Sequence, residues 1–261
     1  MSGSPAFNYR QGADWDDLAA ELDVWGEAGR AARLWWRDDD AVAPTPQLAA
    51  LLRLAAGVPL ALAVIPALAR PELAEALAGR PQVAVLQHGW QHVNRAAHGA
   101  KKSEYPPGRA RDAVAAEIVA GRARLEALFG PRAAPVFVPP WNRFANEFVT
   151  ILRECGIAGL SGMASSHRSA PPSDLALCDA HLDLVDWTQG RRFIGEAVAL
   201  AALVHRLREQ HLSAGGARPP PIGVLTHHLI MDGATAAFIE RLIAFSRSHR
   251  ALRWAAAADL L

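Results

Sequence analysis

The chain has 261 residues, 51% of them hydrophobic and 20% charged, which suits a folded globular protein and excludes a disordered segment. Its formal net charge of +1 gives no electrostatic case for nucleic acid or an acidic membrane as partner. Two cysteines, Cys155 and Cys178, provide neither a disulfide framework nor metal-ligand spacing. No apolar stretch is long enough to span a bilayer, and no charged segment followed by an apolar one marks a signal peptide, so the expected location is cytoplasmic.

Residues 1–10 read as a loose terminus. From Asp14 to Arg30, the spacing of Trp15, Leu18, Leu22 and Trp25 predicts a helix with Asp14 as its N-cap. Strand-like runs and helical segments then alternate. The strands are expected at Arg33–Arg37, Pro59–Ile65, Val83–Gln87, Pro135–Val138, Ala158–Ser161, Leu182–Trp187, Ile222–Thr226 and Leu252–Ala256. Helices are expected near 46–56, 71–78, 109–129, 144–155, 192–212 and 234–248. Residues 95–108 and 163–176 read as long loops, because Gly99, Pro106, Pro107 and Gly108 interrupt any helical period in the first. Residues 213–221 form a connector. Alternation of this kind predicts a parallel sheet built from βαβ units, and seven or eight of them favour a distorted (β/α)7-8 barrel spanning 1–261 as one domain. No phosphate-binding glycine motif follows any strand, so a nucleotide cofactor is not expected.

The residues with chemistry to offer fall at the C-terminal ends of these strands, the face on which such barrels build their sites. Asp38, Asp39 and Asp40 follow Leu34-Trp35-Trp36-Arg37; three crowded carboxylates at a strand mouth repel one another, and a cation relieves that cost. His88 and His92 stand four apart at the end of the next-but-one strand, a spacing that puts both imidazoles on one face of a turn. One Asp with two His, leaving open positions, suits a hydrolytic divalent metal. His227 ends the apolar run 222–226 and reads as a general acid, with Asp186 placed to orient it and Trp187 to wall the pocket.

The order Asp-Asp, His88-x-x-x-His92, Pro139-Pro140-Trp141, Asp186-Trp187 and a strand ending in His227 resembles the polysaccharide deacetylases of NodB homology, carbohydrate esterase family 4, over residues 33–232. The resemblance implies a distorted barrel, a divalent metal held by Asp40, His88 and His92 with zinc first among candidates, and hydrolysis of N-acetyl groups on amino sugars. It implies Asp39 as catalytic base and His227 as catalytic acid. The extra acid at Asp38 and Ala41 in place of the family's Gly leave the register of the acid motif open by one. Val138 stands where the family has the arginine that tethers the base; Arg37 or Arg143 is available to replace it. Trp90, Pro140, Trp141, Arg143, Trp187 and His228, the last where the family usually has Asp, are the expected substrate contacts.

The expected partner is a small-molecule or oligosaccharide substrate, with the oligomeric state left open. Two other readings stand beside the deacetylase. One keeps the metal and barrel but acts on a non-carbohydrate amide or a nucleotide-linked sugar. The other is a catalytically inactive glycan-binding barrel, supported by Val138 alone.

Overall fold

The computed structural model describes residues 12–164, 174–213 and 218–261. The expected loose terminus, His167 and most of the 163–176 loop lie outside them. Strands β1 (Ala32–Ala41), β2 (Leu60–Val64), β3 (Val83–His88), β4 (Ala133–Val138), β5 (Gly159–Leu160), β6 (Ala176–Leu177), β7 (Ala180–Asp183), β8 (Val185–Asp186), β9 (Arg192–Phe193), β10 (Ile222–Thr226) and β11 (Leu252–Trp254) alternate with helices α1 (Trp15–Glu27), α2 (Pro46–Leu54), α3 (Pro71–Ala76), α4 (Arg111–Phe129), α5 (Ile151–Glu154), α6 (Glu196–Ser213) and α7 (Gly233–Ser248). Eight strands form one curled parallel path in the order β6-β5-β4-β3-β2-β1-β10-β7, and β11 pairs with the start of β1 below β2. The segment that follows β5 meets β7 at a single bridge, Met163 with Ala180, instead of a full ladder. The result is the expected distorted barrel, a half-barrel of ladders with a thin seam.

Local chemistry accounts for the elements. Asp14 caps α1 by accepting from the backbone N–H of Asp16 and Asp17, while Asp17 returns a bond to the Asp14 N–H. Thr45 caps α2, whose first residue is Pro46. Period-2 alternation then sorts the strands between two faces. Leu34 and Trp36 of β1, Leu60, Leu62 and Val64 of β2, and Ile222 and Val224 of β10 pack outward against Leu18, Leu22, Leu48, Leu200 and Leu242 of the helices. Trp35, Ala61, Ala63, Leu86, Val136 and Val138 point inward and fill the barrel. The large inward Trp35 requires small neighbours: a Cβ on Gly223 would sit 2.6 Å from the Trp35 Nε1.

Four expectations need correction. The helix expected over 144–155 is a 3-10 turn at Asn146–Phe148 followed by the one-turn α5. The strand expected over Leu182–Trp187 divides into β7 and β8, and β8 turns back antiparallel to β9, so the helix expected from 192 begins at Glu196. The short β6 begins at Ala176, the last residue of the region read as loop. Residues 95–108 contain no helix, as expected. No helix among the described residues is long and apolar enough to cross a membrane.

Candidate active site

Alternation along β1 decides what each of the three acids can do. Arg37 and Asp39 share the inward parity of Trp35, so both side chains enter the barrel, and both are buried. Asp38 has the outward parity. It is fully buried there, accepting from Thr226 Oγ1 at 2.6 Å and meeting His228 Nδ1 at 2.5 Å, while the Trp36 indole donates to the same Thr226. Burial pushes the Asp38 carboxyl up, against the pull of His228.

Asp40 obeys neither parity. Between Asp38 and Ala41 the pairing with β2 slips, since Asp38 faces Leu62 and Ala41 faces Val64, leaving one extra residue in β1. Asp40 takes up the bulge with φ of 72°, a left-handed conformation that costs a non-glycine residue about 1–3 kcal/mol. The bulge turns its carboxylate toward the two histidines. Asp40 Oδ1 lies 3.1 Å from His88 Nε2 and 3.2 Å from His92 Nε2. His92, Trp141 and Asn142 also have positive φ, so four of the five non-glycine residues with that geometry among those described surround this point.

The donor chemistry of the cluster fits a cation. His88 Nδ1 lies 3.0 Å from the Val138 carbonyl, an oxygen that only accepts, so Nδ1 carries the proton and Nε2 presents a lone pair. That lone pair points at a carboxylate oxygen, which also only accepts. Two facing acceptors need a positive centre between them: either a proton on Nε2 donated to Asp40 Oδ1, which the neighbouring carboxylates favour, or a cation that takes that proton's place. Burial pushes the Asp40 carboxyl up, but the hydrogen bond and charge of His88, with those of His92 and His227, outweigh it and hold Asp40 well below the usual carboxylate range. Asp40, His88 and His92 are the residues that would hold a divalent metal, an O,N,N set of the kind zinc and its neighbours accept.

The turn carrying the two histidines is braced from behind. Buried Glu104 accepts the backbone N–H of Trp90 at 3.1 Å and of Gln91 at 2.7 Å. Gly89 has φ of 59°, and a Cβ there would strike Glu104 and Pro140, so only glycine fits between the ligand turn and its brace. Glu104 is wholly buried in serving this turn. The Trp141 ring sits 4.3 Å from that of His92, and Pro140 is buried against Gly89. Trp90 is half-buried, its carbonyl accepting from the Ala67 N–H.

Asp39 is gripped by Arg37, its neighbour on the same inner face. The Arg37 terminal amine donates to Asp39 Oδ2 at 3.0 Å and to Asn142 Oδ1 at 2.6 Å; Nε stands 2.9 Å from Asp39 Oδ1, off the hydrogen-bond axis. The other amine binds Ser161 Oγ at 2.7 Å and the Ser161 and Gly162 carbonyls. Of the two arginines weighed for the place left by Val138, Arg37 is the one that contacts Asp39. Arg143 is exposed and donates to the Lys102 carbonyl.

On the far side of the mouth, His227 lies beneath Trp187, ring to ring at 4.9 Å and edge-on. Its Nδ1 is buried and has no hydrogen-bond partner among the described residues. Asp186 does not supply one. It is half-buried, and its Oδ1 accepts from the Thr188 and Gln189 N–H groups and the Thr188 hydroxyl, closing the β8–β9 turn. The carboxylate beside His227 belongs to Asp183, which also accepts from the Trp187 indole at 2.8 Å. A second bulge explains the exchange: β7 gains a residue at His181, so Asp183 comes into register with the inward Leu225. Burial pushes the Asp183 carboxyl up, with the His227 charge opposing. His228 does not reach the pocket in this structure. It is 1% exposed, and Asp38 holds it on the outer face.

Sequence reading missed Asp183, Asn142 and Glu104. Asp183 carried a signal, since it is the first of two acids in the run 182–187, but a bulge is invisible to strict alternation. Asn142 follows Pro-Pro-Trp and tolerates the left-handed turn it occupies.

No protein-family model and no curated protein matches the chain. Solved structures do. A putative polysaccharide deacetylase from Mycobacterium smegmatis is 17% identical, with 95% of this chain and 91% of that one covered and a TM-score of 0.63. A Puue allantoinase is 13% identical over 89% and 90%, with a TM-score of 0.61. A family 4 acetyl xylan esterase from Clostridium thermocellum, solved with a cobalt ion, is 14% identical over 87% and 89%, with a TM-score of 0.55. The chain thus has the fold of the NodB-type, family 4 carbohydrate esterases that its motif order resembles.

Proposed function

We propose that the protein is a metal-dependent hydrolase that removes an acetyl or related acyl group from the nitrogen of an amino sugar or similar small glycan. The carrying observation is the convergence of Asp40, His88 and His92 beside an arginine-gripped Asp39, with His227 across the mouth. A divalent ion, zinc before others, would supply polarisation of the acyl carbonyl and a lowered pKa for water at the site. Asp39 takes the proton of the attacking water, and Arg37 keeps both of its oxygens in place for that task. His227 delivers a proton to the departing nitrogen, with Asp183 facing it as the orienting carboxylate in the role first read for Asp186. Trp187, half-exposed beside His227, and Trp141 beside His92 offer apolar walls on opposite sides of a sugar ring.

The allantoinase likeness supports a second reading with the same residues acting on a small non-carbohydrate amide. The inactive-binder reading loses its one support, because Arg37 grips Asp39 where Val138 cannot. The test is metal analysis of the purified protein, followed by acetate release from a panel of N-acetylated sugars alongside small linear and cyclic amides. Stoichiometric divalent metal with turnover of the sugars is the expected result. Turnover of the amides alone selects the second reading, and metal-loaded protein inert on both would overturn the hydrolase.

A further inference from the structure

Next to the metal-ligand turn lies a cavity of about 400 Å³ to which the proposed chemistry assigns nothing. One wall is the loop 95–108, the other the segment 142–145. Both walls are built. The Arg95 N–H donates to the Ser103 carbonyl, Asn94 Oδ1 accepts from Ala96 and Ser103, the Ser103 hydroxyl donates to the Arg143 carbonyl, and Tyr105 bridges Phe144. The floor is apolar, formed by Tyr105, Phe144, Pro106 and Pro107. Two cationic side chains, Lys101 and Arg143, line it, and no carboxylate does. Neither cation has an acidic partner among the described residues, although the protein pairs Arg95, Arg109 and Arg111 with glutamates close by. Tyr105 is wholly buried with a hydroxyl that has no hydrogen-bond partner, and burial pushes its pKa well above the usual value, so it stays a neutral donor.

The cavity also touches the reaction centre. Asn142 lines it and at the same time accepts from the arginine that grips Asp39. Arg143 is two residues from Trp141, which packs on His92. A substrate seated on the metal site therefore has a cavity of mixed apolar and positive character beside it.

We propose that this cavity is a specificity subsite that binds an anionic group of the substrate, a carboxylate or a phosphate, through Lys101 and Arg143, with the apolar part carrying that group resting on Phe144, Pro106 and Pro107. The proposal rests on the hydrolase reading and names its substrate class: N-acyl compounds bearing a negative charge. Two exposed cations without an acidic partner, beside an apolar floor, attract such a group and discriminate against its neutral analogue.

The test compares kcat/KM for N-acetylglucosamine, its 6-phosphate and its 6-carboxylate, using wild type and the double variant Lys101→Met with Arg143→Gln. The expected result is a preference of about tenfold or more for an anionic sugar, carried in KM and weakened by salt. The double variant should lose that preference, and whichever anionic sugar leads identifies phosphate or carboxylate as the group. Equal turnover of all three sugars, or a preference that the double variant keeps, overturns the subsite and leaves the hydrolase reading intact. If none of the three is turned over, the hydrolase reading on sugars fails separately, and calorimetric titration of the metal-loaded protein with phenyl phosphate and benzoate decides the cavity. Saturable binding that the double variant abolishes supports it; absence of binding to wild type overturns it.

Discussion

The two sides of the barrel mouth are built to different standards. On the β1–β3–β4 side, the groups that shape the cluster are held by hydrogen bonds: Val138 fixes His88, Glu104 fixes the 90–91 backbone, and Arg37 with Asn142 fixes Asp39. On the β7–β10 side, His227 has a buried nitrogen without a partner, Trp187 is 48% exposed, and Asp186 is turned to its own loop. The difference matches what each side must do. A cation needs its ligands held in one geometry before it arrives, whereas an acid that meets a leaving group completes its hydrogen bonds only when substrate is present. On the proposed reading, one half is a preformed socket and the other completes its hydrogen bonds only with substrate.

The largest effect should come from dismantling the socket. Replacing His88 and His92 together with alanine is expected to remove both metal and activity, and metal content by elemental analysis checks it. Retained metal would mean that the ligands lie elsewhere and that the braced side is merely structural.

Next comes the open side. His227→Ala should keep the metal while lowering the rate by about 10²–10⁴-fold, the usual worth of a general acid. His228→Ala, one residue on, should instead act on stability, because it leaves Asp38 buried without its cationic partner, a loss of about 3–5 kcal/mol. Turnover and thermal melting of the two variants side by side separate these effects. A larger rate loss in the second variant would reverse the roles given to the two histidines.

Arg37→Ala strips the buried Asp39 of its partner and should likewise cost about 3–5 kcal/mol. Arg37→Lys keeps the charge without the fork, so it should recover stability but not rate, which thermal melting and kcat together report. By contrast, Arg241→Ala breaks an exposed pair with Glu196 and should cost only about 0–1 kcal/mol. The pairing of His227 gives a smaller contrast. Asp183→Asn should lower kcat on the order of tenfold, as loss of an orienting partner does, and Asp186→Asn should leave it nearly unchanged. Equal losses would restore Asp186 to the site.

The last effect is one of pH. Burial, reinforced by Arg206, pushes the imidazole of His181 down to about 4, so it folds in neutral form. Its contribution is complete above the unfolded value of 6.5. As pH falls from 6.5 toward 4 the unfolded chain takes up a proton that the folded chain refuses, and up to about 3 kcal/mol of stability is lost. His181→Gln should flatten that part of the stability curve, measured by denaturant melts between pH 7 and 4.

Much of this architecture was legible in the residues. Strand-like runs with helical segments between them gave the parallel sheet, and motifs at strand ends gave the face on which they gather. The failures share one cause. Alternation assigns sides only while a strand keeps its register, and two bulges, at Asp40 and at His181, break it where the chemistry sits. That is why the roles of Asp38, Asp39 and Asp40 could not be separated, and why Asp186 was chosen over Asp183. The choice between Arg37 and Arg143 was open for a different reason. It depends on which arginine the barrel encloses, and a residue two positions before its own partner on one strand is seldom suspected of gripping it.

The bulge in β1 also makes the acid motif sensitive to length more than to composition. Three identical side chains in a row take three different duties because one surplus residue resets the count between the first and the fourth position. Deleting any one of them would leave two aspartates in the sequence yet erase the slip, sending the last acid to whichever face plain alternation dictates and Ala41 to the other. The substitutions Asp38→Asn and Asp40→Asn each remove one duty. A single deletion would reassign them all, and no compensating mutation short of a reinsertion would bring them back.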